Sequence, residues 1–85
     1  MVVMVTRKDI DAGEQCSQDG CPLALAMTRA CGREVAVRLT DYFFKQSDSL
    51  DCKPLPATAV SFRRLFDNER CDRSQLEPFS FTIGD

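Results

Sequence analysis

Residues 21–39, CPLALAMTRACGREVAVRL, decide the fold because they join a helical pattern to an extended one through a glycine. Apolar side chains at positions 23, 26, 27 and 30 lie on one face of a helix. Pro22 suits the first helical turn, where the missing N–H does no harm, and Asp19 or Cys21 is placed to cap it. The pattern predicts a helix over residues 21–31 that ends at Gly32.

Residues 34–39 alternate between polar and apolar side chains. The alternation predicts a strand whose inward-facing side chains are Val35, Val37 and Leu39. The run Tyr-Phe-Phe at 42–44 is also typical of a strand, but no two-residue turn signal separates it from the first segment. The sequence therefore leaves open one long bulged strand or two short strands between positions 34 and 45.

The N-terminal segment combines an apolar run with a helix-start signal. Residues 1–5 are apolar on both faces, which predicts a central strand. Thr6 and Asp9 have the spacing of a capping box, which predicts a short helix that stops at Gly13. Residues 13–20 are polar, begin and end with glycine, and predict a loop.

The second half of the chain holds another helix and a last strand. Residues 46–54 predict a polar loop, and residues 56–67 predict a helix with Pro56 in its first turn. We expect Arg63 and Arg64 to point outwards. The buried stripe is expected to consist of Ala59, Phe62, Leu65 and Phe66. Residues 79–83 alternate strictly and predict the last strand.

Together these elements predict a single α+β domain over residues 1–85. We expect a small, mostly antiparallel sheet of three to four strands, with the two main helices, about 21–31 and 56–67, packed on one face. A chain of 85 residues builds deep clefts with difficulty and shallow binding surfaces easily. One open sheet edge is compatible with either a monomer or a homodimer formed by strand pairing.

The chain has five cysteines and no histidine, which removes imidazole bases and imidazole metal ligands. No catalytic residue, cofactor or metal ligand is assigned, and we expect a protein that is not an enzyme. The cysteines contain no C-x-x-C pair. A helix-capping Cys21 would nevertheless have a lowered thiol pKa, which keeps a thiol redox or zinc-binding protein as one alternative.

Charge argues against nucleic acid as the main partner, since 11 basic and 13 acidic side chains give a net charge of −2. The other alternative, a nucleic-acid-binding accessory factor, depends on a small basic cluster of Arg63, Arg64, Arg70 and Arg73. The N-terminal apolar run of five residues is shorter than a signal peptide or a membrane span needs. We therefore expect a cytoplasmic protein without membrane contact.

Two features predict a protein-binding surface. No basic residue lies between positions 9 and 28, a stretch that contains Asp9, Asp11, Glu14 and Asp19. These acids form either a patch for a basic partner surface or a set of helix-start acids and a solvated loop. Tyr42 and Phe44 share one face of a strand and are the predicted aromatic anchor, unless the loop at 46–54 covers them.

The sequence also resembles small proteins carried by bacteriophages and other mobile elements. The sharpest parts of the resemblance are Cys-Pro-Leu-Ala-Leu-Ala at 21–26, Phe-Asp at 66–67 and Pro-Phe-Ser-Phe at 78–81. It implies an accessory protein that binds a host protein or protein complex in the bacterial cytoplasm, as anti-CRISPR inhibitors do. The leading hypothesis is a non-enzymatic inhibitor of a host-defence complex that acts by surface occlusion.

Overall fold

The fold is taken from a computed structural model that describes residues 1–45 and 52–84. Three helices and five strands occur in these ranges. The helices are α1 (Arg7–Ala12), α2 (Pro22–Cys31) and α3 (Ala57–Phe66), with a 3₁₀ turn at Arg73–Gln75. The strands are β1 (Val2–Val5), β2 (Val35–Val37), β3 (Asp41–Phe44), β4 (Lys53–Pro54) and β5 (Phe79–Thr82).

The predicted α+β class and the antiparallel pairing are confirmed, and the five strands divide between two small sheets. One sheet pairs β1 with β5, and the other has the order β2-β3-β4. Helix α2 contacts α1, β1 and β2, so it lies between the two sheets. Apolar side chains from both sheets meet in one buried cluster that includes Val3, Val37 and Phe81.

The predicted helix ends are confirmed where local chemistry determines them. Thr6 and Asp9 form the capping box of α1. Cys21 caps α2, with its Sγ accepting a hydrogen bond from the backbone N–H of Ala24. Gly32 ends α2 with φ of 68°, a left-handed conformation that glycine adopts without a steric penalty.

The predicted strand at 34–39 is wrong in its second half. It ends at Val37, and residues 38–41 form a tight turn in which the Arg38 N–H donates to the Asp41 carbonyl at 2.7 Å. Two short strands, β2 and β3, therefore pair as a hairpin. Leu39 lies in the turn and is 69% exposed instead of buried. No turn signal marks this reversal, because Leu39 and Thr40 lack the glycine or asparagine typical of such turns.

Three other expectations also need correction. The first strand is not central, because β1 has only β5 as a strand neighbour among the described residues and exposes Val2 and Met4. In the predicted loop at 46–54, Lys53–Pro54 form the short strand β4, and residues 46–51 lie outside the described residues. In α3, Arg63 is buried and Leu65 is exposed, the reverse of the prediction.

Candidate functional site

Asp9 does not belong to the predicted acidic patch, because its side chain is buried. Its carboxylate accepts hydrogen bonds from the Thr6 N–H at 2.9 Å and from two nitrogens of Arg29 at 2.9 and 2.8 Å. Burial acts to raise the pKa of Asp9, but the bonds from Arg29 and Thr6 outweigh it and hold the pKa below its ordinary value. Asp9 therefore joins α1 to α2 and does not face a partner.

The three remaining acids are exposed, and two of them already have a cationic neighbour. Asp11 lies 3.7 Å from Arg7, and Asp19 accepts a hydrogen bond from Lys45 at 3.2 Å. Hydrogen bonds from Lys45 and Ser17 lower the pKa of Asp19. Glu14 makes no ion pair with any residue in the described ranges. The acidic patch therefore shrinks to Asp11, Glu14 and Asp19, with its charge partly compensated.

The predicted aromatic anchor is wrong for Tyr42, which is only 2% exposed. Its ring packs edge-on against Phe44, with 6.3 Å between the ring centroids. Phe44 is half-buried, and the guanidinium of Arg33 lies over its ring at 4.3 Å. A cation over an aromatic face is favourable, so Arg33 covers the surface that Phe44 would offer to a partner.

Leu39, at the tip of the β2–β3 turn, is an exposed apolar side chain that the sequence pattern places in the core. Alternation assigned it to the core, and no local signal distinguishes it from Val35 and Val37. The turn is held by backbone bonds from the Leu55 N–H to Thr40 at 2.9 Å and from the Val37 N–H to Gln18 at 2.6 Å. Leu39 is therefore presented by a well-anchored turn.

A recess of about 520 Å³ opens beside Leu39, between the loop at 14–20, the turn at 38–41 and the end of α3. We call residues 14–20 and 38–41 the loop–turn surface. The recess is lined by Cys16, Gln18, Arg38, Leu39, Thr40, Asp41, Arg63 and Asp67. Its charged side chains are two arginines and two aspartates, so it combines hydrogen-bond donors and acceptors without a net charge.

Arg63 holds the parts of this recess together. Its Nε donates to Asp67 at 2.8 Å, and its Nη1 donates to the Val37 carbonyl at 2.6 Å. Asp67 also accepts a hydrogen bond from the Cys16 N–H at 3.0 Å. The two side chains thus connect α3 to both β2 and the loop at 14–20. In the described part of the chain, no hydrogen bond joins the Cys16 thiol to a basic side chain.

The basic cluster predicted for nucleic acid is divided by the fold. Arg63 is buried, and Arg73 donates to the Asp11 carbonyl at 2.9 Å while its guanidinium lies 4.9 Å from the ring centre of Phe66. Of the four arginines, Arg64 and Arg70 remain exposed. Two exposed cations give a small phosphate-binding footprint, because nucleic-acid affinity grows with the number of phosphates neutralised.

The cysteines are all free, and Cys21 lacks the lowered thiol pKa that the redox or zinc alternative requires. Burial raises the pKa of its thiol and outweighs the opposing effects of the Ala24 N–H and of Arg63. A buried thiol with a raised pKa is a weak nucleophile. Within residues 1–45 and 52–84, no three side chains of the metal-binding types come close enough together to hold an ion.

Comparisons with protein-family models, with curated proteins and with solved structures found no match for this chain. Among the described helices, none has the length and apolar character that crossing a membrane requires.

Proposed function

We propose that this protein is a non-enzymatic binding module that docks on another protein through the loop–turn surface and occludes what it covers. The observation that carries the proposal is Leu39, an apolar side chain that is 69% exposed beside a polar recess. An exposed leucine is unremarkable by itself. Here it stands on an anchored turn with hydrogen-bonding groups around it, an arrangement typical of a binding surface with an apolar centre and a polar rim.

The anchoring of the turn supports this proposal energetically. Binding loses affinity when loops and side chains must be ordered at the interface. The backbone around Leu39 is already fixed by bonds to Gln18 and Leu55, and by the bond from Arg63 to Val37 beneath it. Docking therefore restricts mainly the Leu39 side chain itself. Little of the binding free energy is then offset by the loss of backbone conformational entropy.

Charge indicates the kind of partner surface. Glu14 and Asp19 lie on the loop–turn surface, and Glu14 has no cation beside it in the described part of the chain. A partner with basic residues around an apolar depression would complement this arrangement. Such charges mainly speed association and select the partner, while the apolar contact slows dissociation.

The finer form of the proposal follows the resemblance to phage-carried proteins. The partner would then be a host-defence complex of the CRISPR-Cas type in the bacterial cytoplasm. Such complexes guide nucleic acid through positively charged channels, which an acidic protein of this size could block. A phage plaque assay on CRISPR-immune strains tests this form. Plaques should appear when the chain is expressed, and their absence across the CRISPR-Cas types assayed would contradict it.

The general proposal is tested by comparing two exposed leucines. Leu39→Ser should reduce capture of a specific protein from host lysate at least tenfold, because it removes the apolar centre of the surface. Leu65→Ser is the matched control, since Leu65 is 59% exposed on α3, away from that surface. Equal capture by both variants, or no protein captured by the unmodified chain, would overturn the proposal.

The electrostatic component has its own test. The double variant Glu14→Lys with Asp19→Lys should weaken the captured complex and reduce its sensitivity to salt, since screened attraction contributes less after the charges are reversed. Affinity that is unchanged at low and high salt would show that the acids play no part.

A gel-shift titration with DNA and RNA serves as the check on the nucleic-acid alternative, and we expect no shift even at low salt.

A further inference from the structure

The outer edge of β5 offers unpaired backbone groups. At the end of this sheet the Ile83 N–H donates to the Met1 carbonyl at 2.9 Å, and the Met1 ammonium donates to the Ile83 carbonyl at 3.0 Å. Hydrogen-bonded pairs alternate with non-bonded pairs along an antiparallel ladder. In the observed register Ser80 and Thr82 fall in the non-bonded pairs, so their N–H and C=O groups point away from β1. None of these four groups bonds to a described residue.

The two edges of this sheet differ. On the β1 side, the guanidinium of Arg29 donates to the Met4 carbonyl at 2.9 Å, and α2 packs against the strand. Edge strands are usually protected by charged side chains, bulges or a covering element. Residues 78–84, Pro-Phe-Ser-Phe-Thr-Ile-Gly, contain no charged side chain. Pro78 has no N–H to offer to another strand, so it protects the start of this edge. The rest of β5 has no such protection in the described structure.

We propose that β5 pairs with β5 of a second copy of this chain, antiparallel around a two-fold axis. Ser80 of each copy then lies opposite Thr82 of the other, and the four outward groups on each side form four hydrogen bonds between the copies. The product is one continuous four-stranded sheet with the order β1-β5-β5-β1. Both β5 edges are then paired with each other. Each outer edge of the four-stranded sheet is a β1 strand, partly covered by Arg29 and α2.

Register and charge favour a second copy as the occupant. Sliding the pairing by two residues towards the start of β5 would set Thr82 opposite Pro78, which has no N–H to donate. The edge is thus self-complementary in the register that pairs Ser80 with Thr82. The hydroxyl side chains of these residues are exposed on the same face, where serine and threonine pair favourably across strands. The strand residues that would pair, Phe79–Thr82, carry no charged side chain.

The expected dimer is dissociable. Four residues on each side bury well under the roughly 1,200 Å² that stable interfaces reach. Association should therefore appear as a monomer–dimer equilibrium in sedimentation equilibrium at rising protein concentration. Thr82→Pro removes an outward N–H without removing a bond to β1, and should shift the protein to monomer. Thr82→Ala keeps the N–H and should dimerise as the unmodified chain does.

Hydrogen exchange gives a second measurement that needs no substitution. Exchange of the Ser80 and Thr82 amides should slow as concentration rises, while the amides of Val2 and Met4 on the opposite edge should not change. A chain that stays monomeric at every concentration, or equal dimerisation of Thr82→Pro, would overturn the proposal. Protection that appears only with a captured host protein would also overturn it, because the edge would then receive another partner. Thr82→Pro should leave capture through Leu39 intact.

Discussion

Arg63 shows how one residue can connect separate parts of a small protein. Only 4% of its surface is exposed, and an unpaired charge at that depth would be strongly unfavourable. Asp67 supplies the opposite charge, and the Val37 carbonyl accepts a further bond. The pair therefore fixes α3 against β2 and places the floor of the recess beside the loop–turn surface.

Arg63→Met should lower the free energy of unfolding by about 3–5 kcal/mol, because it leaves Asp67 without its charge partner in a poorly solvated site. Urea unfolding followed by circular dichroism measures the change. Arg64→Met is the matched control on the exposed side of α3 and should stay within about 0.5 kcal/mol. Adding Asp67→Asn to Arg63→Met should restore part of the lost stability. Equal losses in Arg63→Met and Arg64→Met would contradict this role of Arg63.

Asp9 makes stability depend on pH in a defined direction. Its pKa in the folded protein lies below the ordinary value of 3.8, so the folded state binds the proton less tightly than the unfolded state. The resulting stabilisation is complete above that value and is lost as the pH falls through the folded-state pKa. Urea midpoints measured from pH 6 to pH 2.5 (roughly the range that brackets this titration) should fall on the acid side. The fall should be smaller in Asp9→Asn, and identical pH profiles would be inconsistent with the Asp9–Arg29 contact.

At the scale of elements, the helix ends and the contact between α1 and α2 are set by short-range geometry. A Cβ on Gly13 would lie 2.5 Å from the Cδ of Pro22, whose ring cannot move aside. Glycine is needed here for space, since its φ of −67° is open to any residue. At Gly32 the reverse holds, because a Cβ there has room but φ is 68°.

Gly13→Ala should destabilise the protein by about 1–3 kcal/mol, the usual range for an overpacked contact. Gly32→Ala should cost about 1 kcal/mol through the left-handed backbone alone. Gly84→Ala is the control, since no described residue beyond its chain neighbours has an atom within 4 Å of the added Cβ. Thermal unfolding ranks the three variants, and a Gly13 variant as stable as the Gly84 variant would show that the loop at 13–20 can move away from Pro22.

Sequence patterns predicted the elements that depend on neighbouring residues. The capping box at Thr6 and the stop at Gly32 involve contacts within four residues, and the alternation of β5 reflects the pleat itself. The helical pattern predicts Leu65 inside and Arg63 outside, because positions 59, 62 and 66 fit a stripe that includes either residue. What places Arg63 inside is the Val37 carbonyl, 26 residues away in sequence, and no local pattern contains that contact.

The predicted binding site was also placed from local patterns, which do not contain contacts between distant residues. The run of acids without a basic residue predicts that Asp9 belongs to an exposed patch, but the Arg29 guanidinium, 20 positions away, compensates its charge. Leu39 was assigned to the core because the alternation continues through it, whereas the chain reverses at positions 38–41. The Asp9 error concerns a tertiary contact, and the Leu39 error concerns a turn that has no sequence signal. The burial of Tyr42 and the exposure of Leu39 move the candidate binding surface from Tyr42 and Phe44 to the turn beside them.

At the scale of the whole molecule, two small sheets share one core. A two-stranded sheet is marginally stable by itself, so β1 and β5 depend on packing against α2. The buried cluster joins Val3 and Phe81 from that sheet to Val37 and Tyr42 from the other. With no boundary between two separate cores, the sheets should fold and unfold together.

This arrangement predicts a single cooperative transition. Tyr42 is the one tyrosine of the chain, which has no tryptophan, so its fluorescence reports on the three-stranded sheet. Circular dichroism reports on all elements, and the two urea curves should coincide. Val3→Ala and Val37→Ala, one from each sheet, should each lower the same transition by about 2 kcal/mol as a buried valine is truncated. If Val3→Ala instead shifts the dichroism curve and leaves the Tyr42 curve in place, the β1–β5 sheet unfolds as a separate unit and the shared core does not couple the two sheets.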